Sequence, residues 1–308
     1  MNALHRTWEK LIFQTLTEAE QMPKRWRPGF HIAPPVGWLN DPNGLCQYKG
    51  VYHAFYQYSP FEEKGGLKFW AHCTSTDLLH WKLENIPLSP DQPYDCHGVY
   101  SGSAVIEDDH MYLYYTGNVK ELGDYDYINQ GRQANTVRAV SLDGIHFDRK
   151  ELLLTNADYP MDLTCHVRDP KVWKKNGRWY MVQGARTKED QGVVLLFTSG
   201  DGVKWFCTHR LKSPKPFGFM WECPDLYEVD GHTVLSISPQ GVEADGLKYN
   251  NVYQSVTTFL DGDFRTTSVS GEFRELDGGF DFYAPQTFET EDGRRIEIGW
   301  MGMADVDA

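Results

Sequence analysis

No stretch of this 308-residue chain is apolar for the roughly 18 residues that a membrane-spanning helix needs, so no such helix is predicted. The opening segment, MNALHRTWEKLIFQTLTEAEQ, also lacks the unbroken apolar core of a secretory signal. Basic residues are scarce: 30 Lys and Arg face 43 Asp and Glu, a net charge of −13. That balance argues against nucleic acid or an anionic membrane as partner, since both are held by clusters of Lys and Arg, and it is easier to reconcile with a neutral substrate. None of the six cysteines (Cys46, Cys73, Cys96, Cys165, Cys207, Cys223) falls in a CxxC pair. Neither a zinc site nor a dense disulfide framework is indicated, no metal or other cofactor is expected, and reduced thiols in a cytoplasm are the simplest reading.

Aromatic residues are plentiful, at 14% with 10 Trp and 17 Tyr, which suits β-structure and also the stacking of sugar rings. Near the N-terminus, Leu4, Trp8, Leu11, Ile12, Thr15, Leu16 and Ala19 fall on one helical face. A helical segment over 1–25 is therefore predicted, docked on a main body over 26–308, with a contact between copies of the chain as the alternative use of that face.

A turn phrase recurs along the main body. STDLLHW from Ser75, SLDGIHF from Ser141 and SGDGVKW from Ser199 share Ser, any residue, Asp and a following aromatic, and DGDFR at Asp261 is a looser relative. Ahead of the phrases lie alternating runs: GVYHAFYQY from Gly50, HMYLYYTG from His110, GRWYMVQG from Gly177 and GHTVLSIS from Gly231, with a fifth, GRRIEIGW, from Gly293. Alternation bounded by Gly, Asp and Asn marks half-buried strands in hairpins, and recurrence every 55 to 65 residues or so is the period of a propeller blade with long loops. An all-β, five-bladed propeller is the expectation, with the fifth blade cut short by the chain's end; an ordinary β-sandwich is the alternative.

Three acids sit in similar contexts: Asp41 in WLNDPNG, Asp169 in HVRDPKVW and Glu222 in MWECPDLY. Each alone could be a turn opener, a strand end or half of an ion pair. At one phase of a repeat they would converge on a single channel. Glycoside hydrolysis needs two carboxyl groups across the scissile bond, with further charge to stabilise an oxocarbenium-like transition state. Asp41 beside the donor Asn40 suits the nucleophile. Glu222, between Trp221 and Cys223, is expected to be desolvated and so protonated, and Asp169, paired with Arg168, is expected to stay ionised.

Taken in order, WLNDPNG, YQY at 56–58, YSGSAV at 100–105, RDPKVW at 168–173, WECPD at 221–225 and DFYAPQ at 281–286 resemble the invertase and fructanase family, glycoside hydrolase family 32, over residues 30 to 303. The resemblance implies a five-bladed propeller followed by a C-terminal β-sandwich, which this chain would lack, and retaining hydrolysis of terminal β-fructofuranosides such as sucrose or sucrose 6-phosphate. It implies Asp41 as nucleophile, Glu222 as acid/base and Asp169 as transition-state stabiliser, with Asn40, Gln57, Ser101, Arg168, Tyr283 and Trp300 at sugar-binding positions. Where many members carry a Trp, this chain has Gly65, so Phe69 or Trp70 is expected to wall the pocket. GLKFWAH resembles the segment found in bacterial sucrose-6-phosphate hydrolases, which implies Lys68 or His72 near a phosphate, with a solvated Lys and a packed His as the alternative. Fructosyl transfer, a non-catalytic sugar-binding propeller and an arabinan hydrolase are the alternatives.

Overall fold

A computed structural model describes every residue except 1, 22, 24, 26, 148 and 306–308. The first element, α1 (Ala3–Ala19), starts behind Asn2, whose side chain accepts a hydrogen bond from the His5 amide, so the cap satisfies one of the free N–H groups of the first turn. Its docked face is rotated from the expected one. His5, Ile12 and Ala19 are buried, whereas Leu4 and Leu11 remain 44% and 41% exposed. The rotation has a polar cause: His5 Nδ1 lies 2.6 Å from Ser89 Oγ, and Trp8 Nε1 donates to the Pro90 carbonyl. Ile12, Trp8 and Leu16 then pack on Tyr56, Phe69 and Ile86 of the main body.

That body is an all-β propeller. The first blade comprises β1 (Trp38–Tyr48), β2 (Val51–Ser59), β3 (Phe69–Ser75) and β4 (Lys82–Leu83), and the second β5 (Val99–Glu107), β6 (His110–Lys120), β7 (Arg132–Ser141) and β8 (Arg149–Leu154). The third comprises β9 (Leu163–Lys175), β10 (Arg178–Thr187), β11 (Gly192–Ser199) and β12 (Phe206–Leu211), and the fourth β13 (Met220–Val229), β14 (His232–Gln240), β15 (Val256–Leu260) and β16 (Arg274–Glu275). Each is an antiparallel meander. The expectation of five blades is corrected to four, because the fifth unit is a two-stranded sheet of β17 (Tyr283–Glu289) and β18 (Arg295–Trp300). This hairpin nevertheless completes the circuit of inner strands, since β17 touches both β13 and β1.

All five alternating runs form the second strand of their sheets. In the four blades they are largely buried on both faces rather than one, as in β2, where every residue after Val51 is buried, whereas in β18 only Trp300 is. The reason is blade stacking: the large polar and aromatic side chains of one face meet the next blade, not water. Tyr180, Val182 and Leu196 of the third blade interlock with Trp221, Leu235 and Val256 of the fourth, and Phe55 and Trp70 of the first with Val99 and Met111 of the second. Each such side chain contributes about 1.5–3 kcal/mol by burial. Close approach is enforced at Gly184, where a Cβ would come within 1.8 Å of the Trp221 carbonyl oxygen.

The recurring Ser-x-Asp phrase closes the third strand of three blades. Ser75, Ser141 and Ser199 each end a strand and bond to Asp77, Asp143 and Asp201, whose Oδ1 atoms accept two backbone N–H groups at 2.8–2.9 Å. This is the side-chain turn chemistry of Asp.

Candidate active site

Every inner strand carries a register break at the same level of the channel: between Leu39 and Pro42, Tyr100 and Gly102, Arg168 and Lys171, Glu222 and Asp225, and Tyr283 and Gln286. A bulge adds a residue, bends its strand and re-aims side chains. Asp169, Cys223 and Ala284 take left-handed φ values of 63°, 44° and 50° at these bulges, each just before a proline that restricts them further. The result corrects the expected common phase of the three acids. Asp169 lies in its bulge, whereas Glu222, like Arg168 and Tyr283, is the last paired residue before one.

Asp41, Asp169 and Glu222 do meet in one cavity of about 410 Å³, which Asn40, Gln57, Arg168, Tyr283 and Trp300 also line. Asp41 Oδ1 accepts from Asn40 Nδ2 at 3.1 Å, and its Oδ2 accepts from Gln57 Nε2 at 3.2 Å and from the Ser101 hydroxyl. Asn40 also donates to Gln57 Oε1 at 3.0 Å, so the amides and the carboxylate hold one another. Burial pushes the Asp41 carboxyl up; the Ser101 hydrogen bond opposes that, Glu222 adds to it, and Asn40 and Lys68 oppose it.

Cys223 stands between the two aspartates. Its amide donates to Asp169 Oδ2 at 2.9 Å, and its Sγ lies 3.6 Å from both Asp169 Oδ2 and Asp41 Oδ2. Asp169 was expected to stay ionised beside Arg168. Instead burial pushes its carboxyl up to about 7, with Arg168 opposing and the like charges of Glu222 and Asp41 adding to the rise.

The ion pair expected between Arg168 and Asp169 is made with Glu222. Arg168 Nε and Nη2 donate to Glu222 Oε1 at 2.9 and 2.8 Å, while the Tyr283 hydroxyl donates to Oε2. The apolar surroundings expected for Glu222 are absent, because Trp221 points away into the core between the third and fourth blades. Burial and the neighbouring Glu222 keep the Tyr283 phenol protonated and hence a donor. His166, pushed down to about 2 by burial and the charges of Arg168 and Arg132, is neutral and lies 2.7 Å from Arg168 Nη1.

Several assignments change. Trp70 and Phe69 are completely buried and wall nothing: Trp70 packs between Phe55 and Tyr115 and donates to the Tyr100 carbonyl. His72 is equally buried, stacked on Phe55 and 2.9 Å from His53, away from any substrate phosphate. Ser101, also buried, braces Asp41 rather than facing the cavity. The aromatic wall is Trp38, whose ring lies beside Gly65 and edge-on to Trp300 with centroids 5.6 Å apart. Its place in WLNDPNG, next to Asp41, was the available signal. Lys68 does line the cavity, and burial pushes its amine down to about 8 against the pull of Asp41 and Glu62. Arg132 and Lys64 line it too, without any motif to announce them.

Residues 31–308 match the glycosyl hydrolases family 32 N-terminal domain. The chain belongs to glycoside hydrolase family 32. Among family 32 relatives, the sucrose-6-phosphate hydrolase of Bacillus subtilis is 47% identical over 91% of this chain and 58% of its own length. The raffinose invertase of Escherichia coli is 43% identical over 91% of this chain and 58% of its own length. Among solved family 32 structures, a β-fructofuranosidase of Bombyx mori superposes with a TM-score of 0.88 at 37% identity, over 98% of this chain and 63% of that one. The sucrose-6-phosphate hydrolase of Lactobacillus gasseri gives 0.85 at 31% identity, over 96% and 60%. The chain thus spans about three fifths of the length of the relatives it matches.

Proposed function

We propose that this chain is the catalytic unit of a retaining β-fructofuranosidase acting on sucrose or sucrose 6-phosphate. The observation that carries the reading is the convergence of Asp41, Glu222 and Asp169 in one cavity, with Trp38 and Trp300 as an aromatic rim. In this reading Glu222 donates a proton to the glycosidic oxygen while Asp41 attacks the anomeric carbon from the other face, and the leaving sugar departs as an alcohol. Water, deprotonated by Glu222, then displaces Asp41 and returns the enzyme to its starting state. Asp169, whose carboxyl is pushed up, is able to donate as well as accept a hydrogen bond to fructosyl hydroxyls near neutral pH.

Retention requires the Asp41 and Glu222 carboxyls to stand about 5–5.5 Å apart. The four blades and the β17–β18 hairpin are read together as the catalytic unit, with α1 as an appendage to it. Sequence similarity to sucrose-6-phosphate hydrolases supports the substrate class, and the free cysteines support a cytoplasmic setting.

The test is release of reducing sugar from sucrose and sucrose 6-phosphate, with Glu222→Gln as blank and the anomer of the first product followed by NMR. Turnover yielding the β-anomer supports the reading. A folded chain that releases no sugar above the blank, or yields the inverted product, overturns it.

A further inference from the structure

We propose that Arg132 is a specificity residue that binds a phosphate monoester carried by the leaving sugar. The proposal rests on the fructosidase reading above and deepens it. Arg132 opens β7 and lines the active cavity, close enough to Tyr100, Arg168 and Glu222 to feel their charge. Its backbone is pinned by Asn156, whose Nδ2 donates to the Arg132 carbonyl at 2.9 Å. Its side chain makes no hydrogen bond or ion pair among the described residues, and Nε is buried without a partner.

The buried, unpartnered Nε sets it apart from the other cations of the cavity, although Lys64 and Lys68 also make no ion pair among the described residues. Arg168 is committed to Glu222, and Lys68 lies in the field of Asp41 and Glu62. A guanidinium cannot lose its proton under ordinary conditions, so burying its N–H groups unpaired is a standing cost that a matching anion removes. The planar fork of donors fits two oxygens of a phosphate at once. A neutral disaccharide has no group that calls for a spare cation. Burial lowers the affinity of the Arg132 guanidinium for its proton, with Tyr100 and Glu222 opposing and Arg168 adding to the drop.

Placement decides which part of the ligand it reads. Arg132 shares the neighbourhood of Glu222, the group that protonates the leaving oxygen, whereas the fructosyl carbon must lie over Asp41. The anion is therefore assigned to the sugar that departs. Lys64, which also lines the cavity, adds an exposed cation.

The experiment compares kcat/KM for sucrose 6-phosphate and for sucrose in the wild-type chain, Arg132→Gln and Arg132→Lys, with equilibrium binding of both sugars and of inorganic phosphate measured in parallel. The expected result is a fall in the preference for the phosphorylated sugar by about tenfold or more in Arg132→Gln, with partial recovery in Arg132→Lys. An unchanged ratio in a folded Arg132→Gln overturns the proposal. Should the wild-type chain cleave neither sugar, the fructosidase reading fails by itself, and the binding data decide: weaker binding of sucrose 6-phosphate alone in Arg132→Gln upholds the phosphate site, and equal binding overturns it. Arg132-dependent binding of inorganic phosphate without any preference for sucrose 6-phosphate over sucrose also overturns it, since the site would then serve a free anion.

Discussion

Arg168 directs two donors, Nε and Nη2, at one oxygen of Glu222, at 2.9 and 2.8 Å. The contact joins the inner strands of the third and fourth blades across the channel and fixes the carboxyl that is to exchange a proton with the substrate. Lysine keeps the charge but offers a single ammonium in place of the fork. Arg168→Lys should lower kcat by on the order of 10²-fold, the effect of misplacing a reacting group by about an ångström. Steady-state kinetics with circular dichroism as a fold control checks this, and a kcat close to wild type would detach Arg168 from the positioning of Glu222.

Asp41→Asn removes the nucleophile while preserving shape and the contact with Asn40. If Asp41 forms the covalent intermediate, kcat should drop by on the order of 10⁴-fold or more, as when other nucleophiles are removed. The melting temperature should hold or rise, because a buried carboxylate has been replaced by a neutral amide. Substantial residual turnover after purification away from wild type would assign the nucleophile elsewhere.

The propeller was legible because blade after blade repeats one signal: an alternating second strand, then a Ser-x-Asp turn whose hydrogen bonds are wholly local. The acids were legible because each precedes or joins an X-Pro step that marks a bulge. Trp70 was placed at the wall because Gly65 stands where relatives carry a Trp, but alternation cannot say which of two buried faces meets the channel, and Trp70 packs into the core between the first and second blades. Arg168 was assigned to its sequence neighbour Asp169, but its partner Glu222 comes from the next blade, 54 residues away in sequence. Arg132 had no signal, since it starts a strand after a long loop and its role depends on what blades far apart in sequence place beside it.

Ser101 is buried, 60 residues from Asp41 in sequence, and its hydroxyl is the strongest influence holding the Asp41 carboxyl down against burial. Ser101→Ala should therefore raise the pH at which Asp41 ionises. A nucleophile must be ionised, so the acid limb of the kcat/KM profile should move to higher pH. Unmoved limbs with a uniformly lower kcat would make Ser101 a purely structural contact.

Asp169 gives the clearest pH signature. In the unfolded chain its carboxyl ionises in the ordinary range, near 3.8, while burial raises it to about 7 in the fold. Between those values the folded state holds a proton that the unfolded state has lost, so this residue's contribution to stability declines as pH rises from about 4 to 7 and is level beyond. Asp169→Asn abolishes that dependence and leaves an amide oxygen to accept from the Cys223 N–H. The melting temperature of the variant relative to wild type should accordingly be higher at pH 8 than at pH 5, even as kcat falls by about 10²–10³-fold through loss of the stabilising contact. A difference between variant and wild type that stays constant across that window would mean that Asp169 is already ionised in the folded protein at pH 5, and that the charge of Arg168 reaches it despite the pairing of that guanidinium with Glu222.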